Sequence, residues 1–492
     1  MAHAKNVKRI IPEINKNIYF PSVFCILLLI LCIFTIQANA NDVVEIGEVN
    51  TPHGAVILIA DGLSSCYIYP EYTPYAIDGT ILEKADVPGI LEISNNNCRI
   101  LDVKVPQTFT EGGHSVLATG YSKSDAALTG SSGTTFYDVA HNYDYMTFAI
   151  MEKGDSYGFC SKQNVVIHDV DNSINEPEMV IETNFLSETT KKISFDIVDV
   201  MQSQSGGLQE QLDQYPEGSI ERYNEYNIWA IKTGIDIIEY MKMEHPEQNY
   251  ILTINVGAVD CAGHYKKNSG YIECIEGIDN ASYTLYETCQ EHNLAFIFTG
   301  DHGMAFPEND SKGGHQSDKY SKMTESQKVP LIIAANDVDN GIIDEKIGQE
   351  DIAPTILELL NIPGKLRLAD GRAISLKDYV NLEVNVQNEG EITLSRNNSI
   401  LFRGKITENT AFLGLEPDVE YDLEFVLTSD NSITYENSFI MNSDYILDIP
   451  TSEQGSKSDK SYQNSRYIVG GVLIGTVNLT GLLLIRRVLK EE

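Results

Sequence analysis

The chain has 492 residues and carries 35 Lys+Arg against 71 Asp+Glu, a formal net charge of −36. Hydrophobic residues at 42% supply a large core and charged residues at 22% are ordinary, which excludes wholesale disorder. So acidic a surface repels phosphate backbones and excludes a nucleic-acid scaffold, while most of its carboxylates are a solvated face and some are free to bind divalent cations.

The first predicted element is a targeting segment. Lys5, Lys8, Arg9 and Lys16 precede an apolar run from Val23 to Ile36, followed by Ala38-Asn39-Ala40. A charged region, an apolar stretch of this length and a small-x-small site predict a signal peptide over residues 1–40, with an uncleaved anchor as the alternative. From residue 41 to 378 short apolar runs alternate with helical patterns. Ala55-Val-Ile-Leu-Ile-Ala60, Tyr250-Ile-Leu-Thr-Ile254, Leu294-Ala-Phe-Ile-Phe298 and Val329-Pro-Leu-Ile-Ile333 read as strands. Tyr223 to Met243 and Ile278 to His292 carry apolar residues at helical spacing, and Asp351 to Leu360 reads as a short helix. The alternation predicts an α/β domain with a mostly parallel central sheet sandwiched by helices. Residues 161–222, polar and poorly periodic, read as an insertion.

After about Val380 short alternating strands take over, and residues 380–449 read as a small β-sandwich-like domain. Leu415-Glu-Pro417-Asp-Val-Glu-Tyr421-Asp-Leu-Glu-Phe425 resembles the fibronectin type III stretch that carries a tyrosine corner, although the single Trp229 lies elsewhere. Residues 450–466 read as a flexible stalk. Tyr467 to Ile485 holds no charge and at about 1.5 Å per residue reaches about 28 Å, which predicts a C-terminal transmembrane helix. Arg486, Arg487 and Lys490 then place a short tail, residues 486–492, in the cytoplasm. The expected localisation is therefore the cell membrane, single-pass, with the catalytic domain extracytoplasmic. Six cysteines follow the signal segment (Cys66, Cys98, Cys160, Cys261, Cys274 and Cys289), and their spacing favours no pairing.

Acidic and histidine residues gather where these strands end, the ligand position of open α/β sheets. Asp61 follows the first strand, and Asp260 and His264, spaced D-x-x-x-H, follow the second. Asp301-His302-Gly303 follows the third, and His315 precedes the Val329 strand. Oxygen and imidazole donors at this density suit zinc or manganese. Thr110, in Phe109-Thr110-Glu111-Gly112-Gly113-His114, stands where a helix would begin. A phosphate there would meet free N–H groups, and Gly112 and Gly113 would let the backbone approach it.

These pieces, in this order, resemble the alkaline phosphatase superfamily of phosphatases, phosphodiesterases, sulfatases and cofactor-independent phosphoglycerate mutases, over roughly residues 54 to 375. Asp351-Ile-Ala-Pro-Thr-Ile-Leu-Glu-Leu-Leu-Asn-Ile-Pro363 resembles the segment that closes this domain in sulfatase-like members. The resemblance implies Thr110 as nucleophile and two divalent metal ions, zinc or manganese. One would be held by Asp260, His264 and His315, the other by Asp61, Asp301, His302 and the Thr110 oxygen. It implies hydrolysis of phosphate mono- or diesters through a phosphothreonine. The formylglycine motif of sulfatases is absent, and no large second domain separates Thr110 from Asp260 as it does in the mutases. His114 stays open between a mutase-like role and helix packing, and Lys123 between phosphate approach and plain solvation. The rival readings are a phosphotransferase or mutase of the same superfamily and a catalytically inactive surface binding protein.

Overall fold

A computed structural model describes residues 42–449 apart from 154–156, 186, 365, 408 and 429–432. The strands of its large sheet and N-terminus are β1 (Asp42–Glu45), β2 (Gly54–Ala60), β3 (Cys98–Lys104), β4 (Met146–Met151), β5 (Val165–Asp169), β6 (Met179–Thr183), β7 (Tyr250–Val256), β8 (Leu294–Thr299), β9 (Lys328–Ala334) and β10 (Gly341–Gly348). Nine of them, β2 to β10, form one sheet in the order β10-β3-β9-β8-β2-β7-β4-β5-β6. Neighbours pair in parallel from β8 through β2, β7 and β4 to β5, while β9 runs antiparallel to both β8 and β3, and β6 antiparallel to β5. Only β6 and β9 therefore oppose the common strand direction.

The sequence of β2, Gly-Ala-Val-Ile-Leu-Ile-Ala, is buried at every position because the sheet is covered on both faces. Val56, Leu58 and Ala60 enter one apolar cluster together with Trp229, Ile237 and Leu285 from the helices. Ala55, Ile57 and Ile59 enter the other, with Leu117, Ala118, Ile356 and Leu359. The covering helices that matter for the site are α1 (Thr110–Thr119), α2 (Ile220–Glu244), α3 (Ala258–Tyr265) and α4 (Ile352–Leu359). Residues 161–222 contribute β5, β6 and the helices Lys191–Ser205 and Leu208–Leu212.

By internal contacts the chain divides into two units. The first holds the nine-stranded sheet and also residues 408–419 and 440–447. Its second sheet pairs β1 in parallel with Thr410–Leu415, which pairs antiparallel with Val380–Asn385. The second unit contains an antiparallel sheet in which Gly390–Arg396 lies between Ser399–Ile406 and Val419–Leu427. Its core is formed by Ile392, Leu394, Tyr421, Leu423 and Phe425.

One part of the predicted fold class is corrected. No helix among the described residues is long and apolar enough to cross a membrane. The longest, α2, has the length but carries Glu221, Arg222, Glu225, Lys232, Asp236, Glu239, Lys242 and Glu244, charges that hydrocarbon would not accept. The expected transmembrane helix over 467–485, like the signal peptide, stalk and cytoplasmic tail, lies outside the described residues. The transmembrane element, the membrane as partner and the single-pass localisation at the cell membrane are accordingly withdrawn. The six described cysteines are all free thiols.

Candidate metal centre

Sheet direction brings the predicted residues to one edge. β7, β2 and β8 are adjacent and in register, with Ala60 opposite Val256 and Ile59 opposite Thr299. Asp61, Asp260 and Asp301 therefore emerge side by side from the same ends. β3 runs in the same direction, so the segment that leaves it delivers Thr110 to this edge. β9 runs the other way, so the segment entering it brings His315 there as well.

Each side chain is then aimed by local chemistry. Asp301 Oδ1 accepts hydrogen bonds from the Gly62 N–H (3.0 Å) and the His302 N–H (2.8 Å), which leaves Oδ2 directed at His302 Nε2, 3.4 Å away. His302 Nδ1 lies 3.1 Å from the Gly303 carbonyl, and His315 Nδ1 lies 2.7 Å from the Thr108 carbonyl. A carbonyl only accepts, so both Nδ1 atoms carry the proton and both Nε2 atoms present a lone pair. Burial, and for His315 the neighbouring His302, lowers both imidazoles to about 4, so both are neutral. The two rings stack at 3.8 Å. His264 Nε2 stands 3.0 Å from His315 Nε2 and 3.4 Å from Asp260 Oδ1. Burial opposes its protonation, but Asp260 outweighs this and raises it.

Lone pairs thus face carboxylate oxygens and one another inside a buried site, an arrangement that a bound cation resolves. Ligand atoms of Asp61, Asp301 and His302 lie within 4.8 Å of one another, and so do those of Asp260, His302 and His315. Asp301 Oδ2 is buried and accepts no hydrogen bond among the described residues. Carboxylates and neutral imidazoles are the donors that hold a divalent ion.

Thr110 is the first residue of α1 rather than its cap, the cap being the extended Phe109. Its Oγ1 lies 3.2 Å from His302 Nε2. The first N–H groups of a helix have no partner within it, and Thr110 sits at that start. The two glycines of the motif also have a packing role. A Cβ on Gly113 would sit 2.4 Å from the Asp301 carbonyl oxygen, and one on Gly112 would sit 2.6 Å from the Phe109 ring.

Sequence reasoning missed Lys153. It follows β4, next to β7, and its ammonium reaches Asp260 Oδ2 at 2.7 Å and Asp61 Oδ2 at 3.3 Å. Burial would lower Lys153, but these two carboxylates raise it well above the ordinary lysine value. Burial likewise works against ionised Asp260, yet Lys153 and the imidazoles hold it well below the usual carboxylate range. The signal was present in the sequence: Met146-Thr-Phe-Ala-Ile-Met151 is an apolar run ending in Glu152-Lys153, the same grammar as the other strand ends. Glu152 Oε2 accepts the Gly257 and Ala258 N–H groups at 2.7 and 3.1 Å, so it fixes the start of the helix that bears Asp260 and His264.

His114 is fully buried against Phe159, and Asn255 Nδ2 lies 3.3 Å from its Nε2. Lys123 is exposed on the turn after α1.

A family model for the metalloenzyme superfamily matches residues 55–364. Among curated proteins, the chain is 28% identical over 128 residues to 2,3-bisphosphoglycerate-independent phosphoglycerate mutase 2 of Methanosarcina barkeri, covering 26% of this chain and 23% of that one. It is 30% identical over 192 residues to the 2,3-bisphosphoglycerate-independent phosphoglycerate mutase of Rippkaea orientalis, covering 37% and 32%. The chain thus spans about a quarter to a third of the length of these relatives. Among solved structures, the alkaline phosphatase PafA aligns with 67% of this chain and 99% of its own at 14% identity and a TM-score of 0.48. A putative sulfatase of Bacteroides fragilis aligns with 80% and 90% at 13% identity and a TM-score of 0.44.

Proposed function

Because the chain belongs to the metalloenzyme superfamily, we propose that it hydrolyses phosphate mono- or diesters with Thr110 as nucleophile. The observation that supports this most is the convergence of the Thr110 hydroxyl on a buried set of carboxylates and lone-pair imidazoles, 3.2 Å from His302 Nε2. Asp61, Asp301 and His302 are the ligands for one divalent ion, and Asp260, His264 and His315 those for a second, with His302 near both groups. Zinc suits this oxygen–nitrogen set, with manganese next. When bound, such ions supply the Lewis acidity that makes a threonine hydroxyl reactive near neutral pH and neutralises charge on phosphoryl oxygens.

The chain's own groups do the rest. The Thr110 oxygen attacks phosphorus and the P–O bond to the leaving group breaks, giving a phosphothreonine and the released alcohol. Water then attacks the same phosphorus, regenerating the Thr110 hydroxyl and releasing the phosphate group. The start of α1 orients its N–H groups toward phosphoryl oxygens, and Lys153 fixes the positions of Asp61 and Asp260.

Thr110→Ala tests the reading. It should leave a folded, metal-binding protein whose release of nitrophenol from nitrophenyl phosphates falls by several orders of magnitude. Loss of a covalent nucleophile in a well-studied serine hydrolase costs on the order of 10⁶. Thr110→Ser should keep much of the rate. Near-normal hydrolysis by Thr110→Ala would refute the nucleophile. A second reading, transfer of the phospho group to an acceptor, is favoured by the names of the curated relatives. Product analysis with and without an added alcohol acceptor separates the two.

A further inference from the structure

The site residues are nearly all sealed from solvent: Asp61, Asp301 and His302 are 0% exposed, Asp260 4%, and Thr110 and His315 8%. His264 differs, with 32% of its side chain exposed, so the site opens beside it. Beside His264 stand an exposed aromatic ring and a lysine, in a chain whose net charge is −36. Tyr265 is 62% exposed, and its ring lies 6.2 Å from that of His264. The exposed Lys312 places its ammonium 5.7 Å from the centre of the Tyr265 ring.

The segment bearing Lys312 is held in place. The Gly313 N–H donates to the Gly263 carbonyl at 2.9 Å, and the Asn268 N–H to the Ser311 carbonyl at 3.1 Å. Asp310 accepts from the Lys267 ammonium at 2.9 Å and donates its N–H to Asn268 Oδ1 at 2.7 Å. Neighbouring cations are already engaged, Lys267 with Asp310 and Lys266 over the Tyr223 ring at 5.3 Å. No carboxylate pairs with Lys312 among the described residues. An ammonium without a carboxylate partner, carried on a held segment beside the exposed edge of an anion-processing site, offers a second anion a place.

We propose that this opening is a subsite for a second anionic group, carboxylate or phosphate, carried on the leaving part of the substrate, with Lys312 contacting it and Tyr265 positioning Lys312. The proposal rests on the phosphohydrolase reading and narrows its substrate class to esters with an anionic leaving group. The Lys312 ammonium lies within cation–π reach of the exposed Tyr265 ring.

The test uses the full chain with paired chromogenic esters: 4-nitrophenyl phosphate and its methyl diester, each with and without a carboxylate on the ring. The readout is the ratio of kcat/KM for the carboxylated ester to that for the plain one, compared between variants so that intrinsic reactivity cancels. Lys312→Gln should lower this ratio about fivefold, the scale of one exposed charge contact. Added salt should lower it in the unaltered protein and barely move it in Lys312→Gln. Lys312→Arg and Tyr265→Phe should keep the ratio, and Tyr265→Ala should lose part of it. An unchanged ratio in Lys312→Gln, with both esters turned over, overturns the subsite and leaves the hydrolase reading intact. If the unaltered protein turns over none of these esters, the hydrolase reading falls and the subsite with it.

Discussion

His302 stands at the crossing point of the site: it lies within reach of both candidate ligand groups, offering one ion its single Nε2 lone pair and packing its ring on His315 of the other, while Asp260 belongs to one. Removing each side chain should therefore differ in kind. Asp260→Ala should lower bound zinc from about two equivalents toward one, whereas His302→Ala should weaken both, as read by equilibrium dialysis with elemental analysis. Equal losses in the two variants would contradict the shared role. Lys153 supplies a second contrast. Its ammonium is the cation between Asp61 and Asp260, and taking one partner from a buried ion pair costs about 3–5 kcal/mol. Lys153→Met should therefore depress the melting temperature of chelator-treated protein. Bound divalent ions restore positive charge beside the same carboxylates, so the deficit should shrink when zinc is added, by calorimetry. A deficit unchanged by zinc would mean that Lys153 serves packing alone.

Between residue and fold lies the strand end, where the sequence was most legible. β2, β7 and β8 are apolar without alternation because they are buried on both faces, so a carboxylate just beyond such a run stands out. Asp61, Asp260 and Asp301 were found this way. β4 has the same signature and went unread, and Lys153 with it. His315 was singled out by its place before the Val329 strand, but that it reaches the same edge depends on β9 running against its neighbours, which spacing cannot reveal. The packing of the glycines after Thr110 went unread for a related reason: what a glycine approaches is a tertiary fact. Gly113 packs on the Asp301 backbone, which has no room to yield, whereas Gly112 faces the Phe109 ring and Gln107 Oε1, side-chain groups with some freedom. Gly113→Ala should cost about 1–3 kcal/mol of stability, the usual cost of overpacking, and should impair turnover by displacing Asp301. Gly112→Ala should cost less on both counts. Thermal unfolding and steady-state rates measured together would expose a reversed order.

At the scale of the whole molecule, what stayed illegible is the use of distant segments in one sheet. The N-terminal β1 pairs with Thr410–Leu415, and its four residues, Asp-Val-Val-Glu, carry no sign of so remote a partner. The same unit holds partly buried charge outside the metal centre. Glu358 on α4 lines a cavity of about 480 Å³ with Asp444. Burial, then the negative charge of Asp444, pushes the Glu358 carboxyl from its ordinary 4.5 up to about 7, against the pull of Lys377. The sign of the consequence follows from proton counting. Between about pH 4.5 and 7 the folded chain retains a proton that the unfolded chain has released, so stability falls as pH rises through this window and levels off above it. Asp444 is also raised by burial and acts in the same direction, while Lys377, lowered by burial, titrates at higher pH. Glu358→Gln keeps the shape of the neutral acid and removes its titration. Variant and parent should therefore be nearly equal in stability near pH 4. The variant should gain with pH, by an amount on the order of 3 kcal/mol near pH 8 at one pKa unit per 1.36 kcal/mol. Denaturant midpoints across this range measure the difference, which includes the relief of Asp444 and the loss of a partner for Lys377 when the Glu358 charge is removed. Parallel stability curves from pH 4 to 8 would show that Glu358 ionises in the fold as it does in water, and that the cavity beside it is open enough to solvate the charge.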